Sequence, residues 1–226
     1  MKTVHPSMTN TNDKPASPQT SYFANTRTEM AEFVPEWSKT ILECGCGEGV
    51  FGALIKGKHD AEVWGIEINP AAAERARKAL DKVIEGDIGL QIENVPDGYF
   101  DCIVFNDVLE HLLDPWAVLT TARQKLSQNG VLVCSIPNIR FFRLFRDYVL
   151  RGEWHYEDVG VCDRTHLHCF TAKSIRAMFG GVGYDIVSLA GINGITTWKF
   201  GLLNALTFGW LADTRYPQFA CVAKPK

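Results

Sequence analysis

The sequence lacks a strong excess of charge of either sign, because its 226 residues include 23 basic and 26 acidic side chains, for a net charge of −3. This balance argues against binding to nucleic acid through bulk positive charge. No apolar run is long enough to cross a bilayer, and the N-terminus has no apolar core of a signal peptide. These absences predict a cytoplasmic protein with no membrane span and no nucleic-acid partner.

The seven cysteines do not form the pattern of a disulfide framework. Their number is odd, and several lie in apolar runs such as FDCIVF and GVLVCSI, where a thiol behaves as a small hydrophobic group. The densest group of metal-ligand residues is Cys162, His166, His168 and Cys169. Its spacing fits no common zinc motif, so we expect no metal.

The first 20 residues are rich in Thr, Ser, Asn and Pro and contain almost nothing apolar. They predict a disordered leader, followed by a single domain over residues 21–226. Apolar runs within that domain predict strands at 39–44, 62–68, 83–87, 99–107, 130–137, 184–192 and 219–224.

Helical segments separate the first five predicted strands, beginning near Val50 and covering about 71–80 and 114–126, and a turn at Asn129-Gly130 is predicted to close the last of them. Alternation of strands and helices indicates an α/β fold with a parallel sheet and right-handed crossovers. No helical crossover is evident between the last two strands, which favours an antiparallel edge.

A glycine-rich turn, ECGCGEG, follows the first predicted strand. Gly45, Gly47 and Gly49 would let the backbone turn tightly and approach a ligand. Glu67 ends the second strand 20 residues after Gly47, where a carboxylate can accept both ribose hydroxyls. These two features predict a ligand of the adenosine type.

The turn also satisfies the dinucleotide pattern G-x-G-x-x-G through Gly52, which keeps an NAD-dependent oxidoreductase open as an alternative. Two observations oppose it. Glu43 and Glu48 would repel a pyrophosphate near the helix N-terminus, and no catalytic set of Ser, Tyr and Lys is evident. A ligand with a cationic sulfur meets no such repulsion, and Glu43 could receive its ammonium group.

Four segments in order, ILECGCGEG, GIEINP, EGDI and FDCIVFNDVLEHLLDP, resemble the successive motifs of class I S-adenosylmethionine-dependent methyltransferases. The resemblance covers roughly residues 22–226. It implies a Rossmann-like, mostly parallel seven-stranded sheet of order 3-2-1-4-5-7-6, with the last strand antiparallel, helices on both faces and a lid insertion. It also implies S-adenosylmethionine as the cofactor and S-adenosylhomocysteine as the product.

The same resemblance assigns donor-binding roles to motif residues. The glycine loop would hold the methionine part with Glu43, and Glu67 would bind the ribose with Ile68 against the adenine. Tyr22 and Arg27 would close over the methionine carboxylate. The remaining donor-binding residues are Asp87 and Ile88 at the adenine, and Asn106, Asp107 and Val108 along the methionine and sulfonium.

Segments 139–171 and 193–215 are expected to form the lid and acceptor side. The stretch DRTHLHCFT within the first of them resembles a branch found beside glycosyltransferases in surface-polysaccharide gene sets. Arg140, Arg143 and Arg146 drift along one helical face, which suits either a solvated lid or recognition of a phosphate. Residues 198–211 are apolar all round, which predicts a buried helix or a homodimer surface, with membrane contact as a weaker alternative.

Three residues are candidates for catalysis. His111 follows the fourth strand and has a pKa range suited to a general base, although a packing role is equally consistent. Asn138 follows the fifth strand, where its amide could orient an acceptor or simply form a turn. His166 would share one face of an extended segment with His168.

The sequence therefore predicts a methyltransferase acting on a small hydroxylated acceptor, such as a sugar or glycan, by O-methylation. Three alternatives remain open at this point: an NAD-dependent oxidoreductase, a module that binds S-adenosylmethionine without catalysis, and an RNA methyltransferase. The last is disfavoured by the acidic balance and by the lack of an N-P-P-Y-like motif after the fourth strand.

Overall fold

The computed structural model describes residues 26–226. The predicted leader and Tyr22 lie outside the described residues. A seven-stranded sheet of order 3-2-1-4-5-7-6 forms the centre of the described chain. Strand 7 pairs antiparallel with strands 5 and 6, and the other pairings are parallel. The predicted order and the antiparallel last strand are confirmed.

The strands begin and end close to the predicted positions. They are β1 (Thr40–Cys44), β2 (Glu62–Glu67), β3 (Lys82–Glu85), β4 (Phe100–Asn106), β5 (Leu126–Pro137), β6 (Tyr184–Ile192) and β7 (Gln218–Pro225).

Helices connect the strands and cover the sheet. The α-helices are α1 (Val50–His59), α2 (Pro70–Ala76), α3 (Ile88–Gln91), α4 (Pro115–Lys125), α5 (Phe142–Arg146), α6 (Ala172–Gly181) and α7 (Trp198–Leu206). A π-helical turn (Asp147–Arg151) continues α5. Short 3-10 turns occupy Thr28–Glu32, Ile92–Asn94, Leu109–His111 and Ala212–Arg215.

The core has two layers because successive side chains of a strand point to opposite faces of the sheet. On β1, Leu42 packs into one buried cluster and Ile41 into the other. The first cluster also contains Phe105 and Phe179, and the second contains Phe51. Both faces of the central strands are therefore buried, which accounts for their nearly continuous apolar sequence.

Two helices begin where the sequence predicts. The Asn69 side chain accepts a hydrogen bond from the Ala72 N–H at 3.0 Å, and Pro70 occupies the first helical position of α2. Asp114 caps α4 in the same way, accepting from the Ala117 N–H at 3.0 Å. Such caps satisfy backbone donors that have no partner within the helix.

The predicted turn at Asn129-Gly130 is wrong. Helix α4 ends at Lys125, and the chain enters β5 at Leu126 without a turn between them. The pairing register between β4 and β5 shifts between the pairs made by Phe100 and Cys102, so an irregular ladder accommodates these residues.

The helix predicted within residues 198–211 is present, but of its two expected environments the buried one is wrong, and the homodimer surface stays a prediction. Only Phe200 is buried in α7, whereas Trp198 is 75% exposed and Phe208, just beyond the helix, is 99% exposed. One face of α7 contacts α5 through the rings of Phe142 and Phe200, 5.7 Å apart. Among residues 26–226, no helix combines the length and the apolar character needed to cross a bilayer.

Candidate active site

A cavity of about 350 Å³ opens at the carboxyl ends of the central strands. This is the edge where open α/β sheets bind ligands. Every predicted donor-binding residue within 26–226 lines the cavity except Gly49, and His111 lines it as well. Sequence reasoning missed three lining residues, Cys46, Phe51 and Leu112. Their apolar character gives no signal that separates them from the core.

The glycine loop after β1 runs along the floor of the cavity. The Gly45 N–H donates to the Ile66 carbonyl at 2.8 Å, and the Gly47 N–H donates to Glu67 Oε2 at 2.8 Å. Gly45 has φ +75°, and a Cβ there would lie 2.6 Å from Cγ2 of Val108. A side chain at Gly45 would collide with Val108 on the cavity wall, so the path of the loop requires glycine there.

Gly49 does not line the cavity, so its predicted donor-binding role is corrected. It precedes the first turn of α1 at φ +78°, and a Cβ there would lie 3.1 Å from Cα of Ala76. The third glycine of the dinucleotide pattern, Gly52, also serves packing, because a Cβ would meet Leu80 at 2.7 Å. Gly49 and Gly52 of this pattern therefore allow α1 to pack closely against α2 and against the residues that follow α2.

Glu67 is buried at the end of β2 and organises the loop around it. Its Oε2 accepts from Gly47, and its Oε1 accepts from the Asn69 N–H at 2.8 Å. Two backbone donors fix the carboxylate at the cavity wall. A rigid acceptor at this position suits the hydroxyls of a ribose.

Glu43 is a buried acid on the same wall. Among the described residues its Oε2 has no hydrogen-bond partner. Burial raises the pKa of Glu43 to about 8, with the negative charge of Glu67 adding to the effect and the Gly52 N–H opposing it. The neutral acid is therefore the main form of Glu43 at pH 7 in the chain alone, and a nearby cation would favour the ionised form.

The affinity for S-adenosylhomocysteine is expected to rise from pH 6 to 8, by at most about tenfold per pH unit, because its ammonium group favours ionised Glu43. In the Glu43→Gln variant this rise should be absent. The stability of the ligand-free protein is expected to change in the opposite direction. Because folding raises the pKa of Glu43, its contribution to the free energy of unfolding falls as the pH rises from about 4.5 to about 8. Calorimetric titration of both proteins across this range checks the first expectation, and parallel profiles would contradict it.

Arg27 and Asp107 form an ion pair across the cavity mouth. Arg27 also donates through Nε to Glu29 at 2.8 Å. Asp107 adopts φ +53°, unusual for a residue with a side chain, and its Oδ1 accepts from Ser135 and Gln218 at 2.8 and 3.0 Å. These contacts hold the turn after β4, and the role of Arg27 toward a methionine carboxylate stays a prediction.

The 3-10 turn at residues 109–111 brings an acid and an imidazole beside a distant loop. The Glu110 carbonyl accepts from the N–H groups of Leu167 and His168 at 2.9 and 3.1 Å. These bonds place the rings of His111 and His166 4.7 Å apart. Glu110 is 1% exposed, and burial raises the pKa of its carboxyl to about 8.

Hydrogen bonds define the tautomer of both histidines. Nδ1 of His111 lies 3.3 Å from the Thr165 carbonyl and 3.1 Å from its hydroxyl, which donates to Asp163 at 2.6 Å. Nδ1 of His166 lies 3.2 Å from the Val161 carbonyl. Since a carbonyl only accepts, each Nδ1 carries the proton and each Nε2 keeps its lone pair. Burial lowers the pKa of both rings.

His166 and His168 do not share a face, contrary to the sequence-based expectation. His168 turns away to place Nε2 3.3 Å from the Leu113 carbonyl, with its ring edge-on to Trp116 at 5.3 Å. The loop is held by turns and side-chain hydrogen bonds instead of an extended backbone, so residues two apart need not point the same way.

The catalytic assignment of Asn138 is likewise corrected. This residue is fully buried, and its amide donates to the carbonyls of Asp213 and Tyr216 at 2.9 Å each. Its side-chain oxygen accepts from the Arg140 N–H at 3.0 Å. With both ends of the amide engaged and no place on the cavity wall, Asn138 joins the chain after β5 to the segment before β7.

The arginines of the α5 region make separate contacts. Arg140 pairs with Asp213 at 2.9 Å and lies 5.1 Å from the ring centre of Trp210. Arg146 pairs with the neighbouring Asp147 at 2.8 Å. Two of the three charges are therefore neutralised within the chain, which weakens the phosphate-recognition alternative.

The cavity fits the donor that the motifs imply. The glycine path leaves room for close approach, the Glu67 carboxylate is set for hydroxyls, and beside them lies an oxygen of Glu43 that has no hydrogen-bond partner within residues 26–226. A pyrophosphate fits poorly, because the carboxylates of Glu67 and Asp87 line the wall. Glu48 does not add to this repulsion, since it pairs with Arg75 at 2.9 Å.

Solved structures with the same fold are similar along nearly the whole chain. A SAM-dependent methyltransferase from Archaeoglobus fulgidus has a TM-score of 0.67 at 19% identity and covers 92% of this chain and 100% of its own. An S-adenosylmethionine-dependent methyltransferase from Mesorhizobium loti has a TM-score of 0.61 at 18% identity, over 87% of this chain and 95% of its own.

Curated relatives match over shorter stretches. A ubiquinone biosynthesis O-methyltransferase from Pasteurella multocida is 29% identical over 114 residues, 44% of this chain and 47% of the relative. A probable S-adenosylmethionine-dependent methyltransferase from Mycolicibacterium smegmatis is 28% identical over 148 residues, 64% and 57% of the two chains. The chain spans about half the length of the curated relatives it matches.

A family model described as a methyltransferase domain matches residues 19–189. This match covers most of the chain and includes the glycine loop, Glu67 and the turn after β4. Together with the motifs, the sheet order and the structural neighbours, it shows that the chain belongs to the methyltransferase-domain family of class I S-adenosylmethionine-dependent methyltransferases.

Proposed function

We propose that the chain catalyses methyl transfer from S-adenosylmethionine to a hydroxyl of a small acceptor, such as a sugar or glycan. The observation that supports this most directly is the position of His111. It lines the donor cavity four residues after Asp107, with His166 beside it, so two imidazole lone pairs lie at the border of the donor site.

The bound donor supplies a methyl group on a positively charged sulfur. Transfer to a hydroxyl forms a carbon–oxygen bond, breaks the carbon–sulfur bond and releases the hydroxyl proton. The chain must therefore align the oxygen, exclude water and dispose of one proton. His111 would position and deprotonate the hydroxyl, and the loop at 163–168 would hold His166 behind it.

The acceptor side is proposed to include the segment from α5 to the 163–168 loop. His111 and His166 supply neutral polar groups, and the Asp163 carboxylate fixes them through Thr165. Such groups suit the hydroxyls of a sugar ring. The exposed apolar face of α7 is the surface available for the proposed homodimer contact.

Thermal unfolding with S-adenosylhomocysteine, and in parallel with NADH, tests the donor. A ligand at about 100 times its dissociation constant adds about 2.7 kcal/mol to the free energy of unfolding, which is readily measured. We expect stabilisation by S-adenosylhomocysteine alone. Stabilisation by NADH alone, or by neither ligand, would contradict the proposed donor site.

Transfer from methyl-labelled S-adenosylmethionine to pools of sugars and glycosides then tests the acceptor class. Label in a methyl ether supports O-methylation, whereas label only in amines or in protein contradicts it. Label in no acceptor pool, despite donor binding, is the outcome expected of a module without catalysis.

A further inference from the structure

Glu110, His111 and His166 form a cluster beside the donor cavity. One ligand atom from each, a carboxylate oxygen and two ring nitrogens, lies within 4.8 Å of the others. Nε2 of His166 is 3.9 Å from Oε1 of Glu110, too far for a hydrogen bond. The cluster thus presents electron pairs toward a common centre without hydrogen bonds between its members.

The burial of Glu110 makes this arrangement costly unless something occupies the centre. Glu110 is 1% exposed, and within the described chain neither carboxylate oxygen accepts or donates a hydrogen bond. Arg27 exerts a favourable charge effect on it, whereas Asp163 exerts an unfavourable one. Buried carboxylates are ordinarily hydrogen-bonded, paired or bound to a metal.

The contacts behind the cluster are those that metal-binding histidines make. Nδ1–H of His166 donates to a backbone carbonyl, and Nδ1–H of His111 donates toward Thr165, whose hydroxyl bonds to Asp163. Such outer contacts fix the ring and its tautomer so that Nε2 faces the metal. Both rings are therefore prepared as ligands before any ion binds.

We propose that Glu110, His111 and His166 bind one divalent transition-metal ion at the acceptor end of the donor cavity. Two imidazoles and one carboxylate suit Zn²⁺, Mn²⁺ or Fe²⁺, whereas Mg²⁺ prefers an all-oxygen shell. Ligand atoms about 2.1 Å from one ion lie about 3.4 Å apart in a tetrahedral shell, so atoms that are now up to 4.8 Å apart must close by up to about 1.4 Å. The proposal departs from the metal-free site expected from sequence spacing alone.

The role of the ion rests on the proposed function, because the ion would bind the acceptor hydroxyl during methyl transfer. Three protein ligands leave at least one coordination position open, as in catalytic sites. The acceptor hydroxyl would take that position, where the positive charge lowers its pKa and lets its proton pass to solvent, so that with the ion bound His111 would act as a ligand in place of a general base. Its oxygen would then lie beside His111, on the wall of the donor cavity.

The test uses the full chain after removal of metal with a chelator. Isothermal titration with Zn²⁺ is expected to show one equivalent bound, and Mg²⁺ is expected to show none at the same concentration. Titration with Co²⁺ should give the visible bands of nitrogen and oxygen ligands without the charge-transfer band of a thiolate. That last result separates the cluster from the seven cysteines, all of which are free.

Glu110→Gln and His166→Ala are expected to weaken Zn²⁺ binding more than about 100-fold. His168→Ala is the matched control, because this histidine is two residues away and bonds to the Leu113 carbonyl outside the cluster. Thermal unfolding shows whether each variant is folded. No bound equivalent in the parent chain, or unchanged affinity in folded His166→Ala, would overturn the proposal.

Stabilisation by S-adenosylhomocysteine is measured on the same metal-free protein. Donor binding without metal binding overturns the metal site and leaves the proposed function standing. Metal binding without donor binding supports the metal site and contradicts the proposed function. With both present, methyl transfer should be lost in the metal-free protein and restored by Zn²⁺ or Mn²⁺.

Discussion

Gly47→Val is expected to abolish the binding of S-adenosylhomocysteine, with at least a 100-fold loss of affinity. Gly47 has φ +54°, a left-handed conformation that a β-branched residue adopts only under strain of about 1–3 kcal/mol. Its N–H bonds to Glu67 and its backbone lines the cavity. Relief of the strain would shift the floor of the donor site and the carboxylate that it holds.

Gly57→Ala is the control for this substitution. Gly57 lies in α1, the helix that follows the loop, and a Cβ there would have no atom of the described residues within 4 Å. This variant should bind the ligand normally and gain about 0.5–1 kcal/mol of stability, because Ala favours a helix over Gly. Unchanged affinity in a folded Gly47→Val protein, measured by calorimetry, would contradict the assignment of the loop.

Glu67→Gln is expected to weaken S-adenosylhomocysteine binding about 10- to 150-fold, the range for hydrogen bonds to a charged group. The substitution keeps the shape of the side chain but removes its charge. It also sets an amide N–H₂ against one of two backbone donors, from Gly47 and Asn69. The variant would therefore lose the charged contact with the ribose and part of the hydrogen bonding that holds the loop.

A ligand analogue without the two ribose hydroxyls makes this test specific. The parent chain should bind the analogue more weakly than S-adenosylhomocysteine, whereas Glu67→Gln should distinguish the two poorly. Glu62→Gln is the matched control, since Glu62 begins the same strand and bonds to Trp64 and Tyr99 outside the cavity. An equal preference for hydroxyls in both proteins would show that Glu67 does not read the ribose.

The central fold could be predicted because local signals agreed with the tertiary structure. The runs that became β1, β2 and β4 are apolar on both faces, and Asn69 and Asp114 mark helix starts through short-range hydrogen bonds. These signals are carried by neighbouring residues, so they can be read without knowing what packs against them. Where packing decided, as at Asn129-Gly130, the local turn signal gave the wrong prediction.

The donor side of the site was predictable for a related reason. Its residues follow strand ends, and parallel strands bring those ends to one edge of the sheet. Gly49 is the exception, because glycine is required equally by a ligand and by a close helix contact, and the sequence does not separate the two. Asn138 similarly follows a strand, yet its amide is engaged by chain 75 to 78 residues away.

The strand order expected of the family motifs, the donor edge and most residues that line it could be read from short segments, because each depends on motifs in a fixed order along the chain. Tertiary packing set the acceptor side. It separated His166 from His168, left α7 exposed and brought Glu110 within 3.9 Å of a ring 56 positions along the chain. Contacts of that kind depend on how loops pack, and no spacing within the sequence carries them.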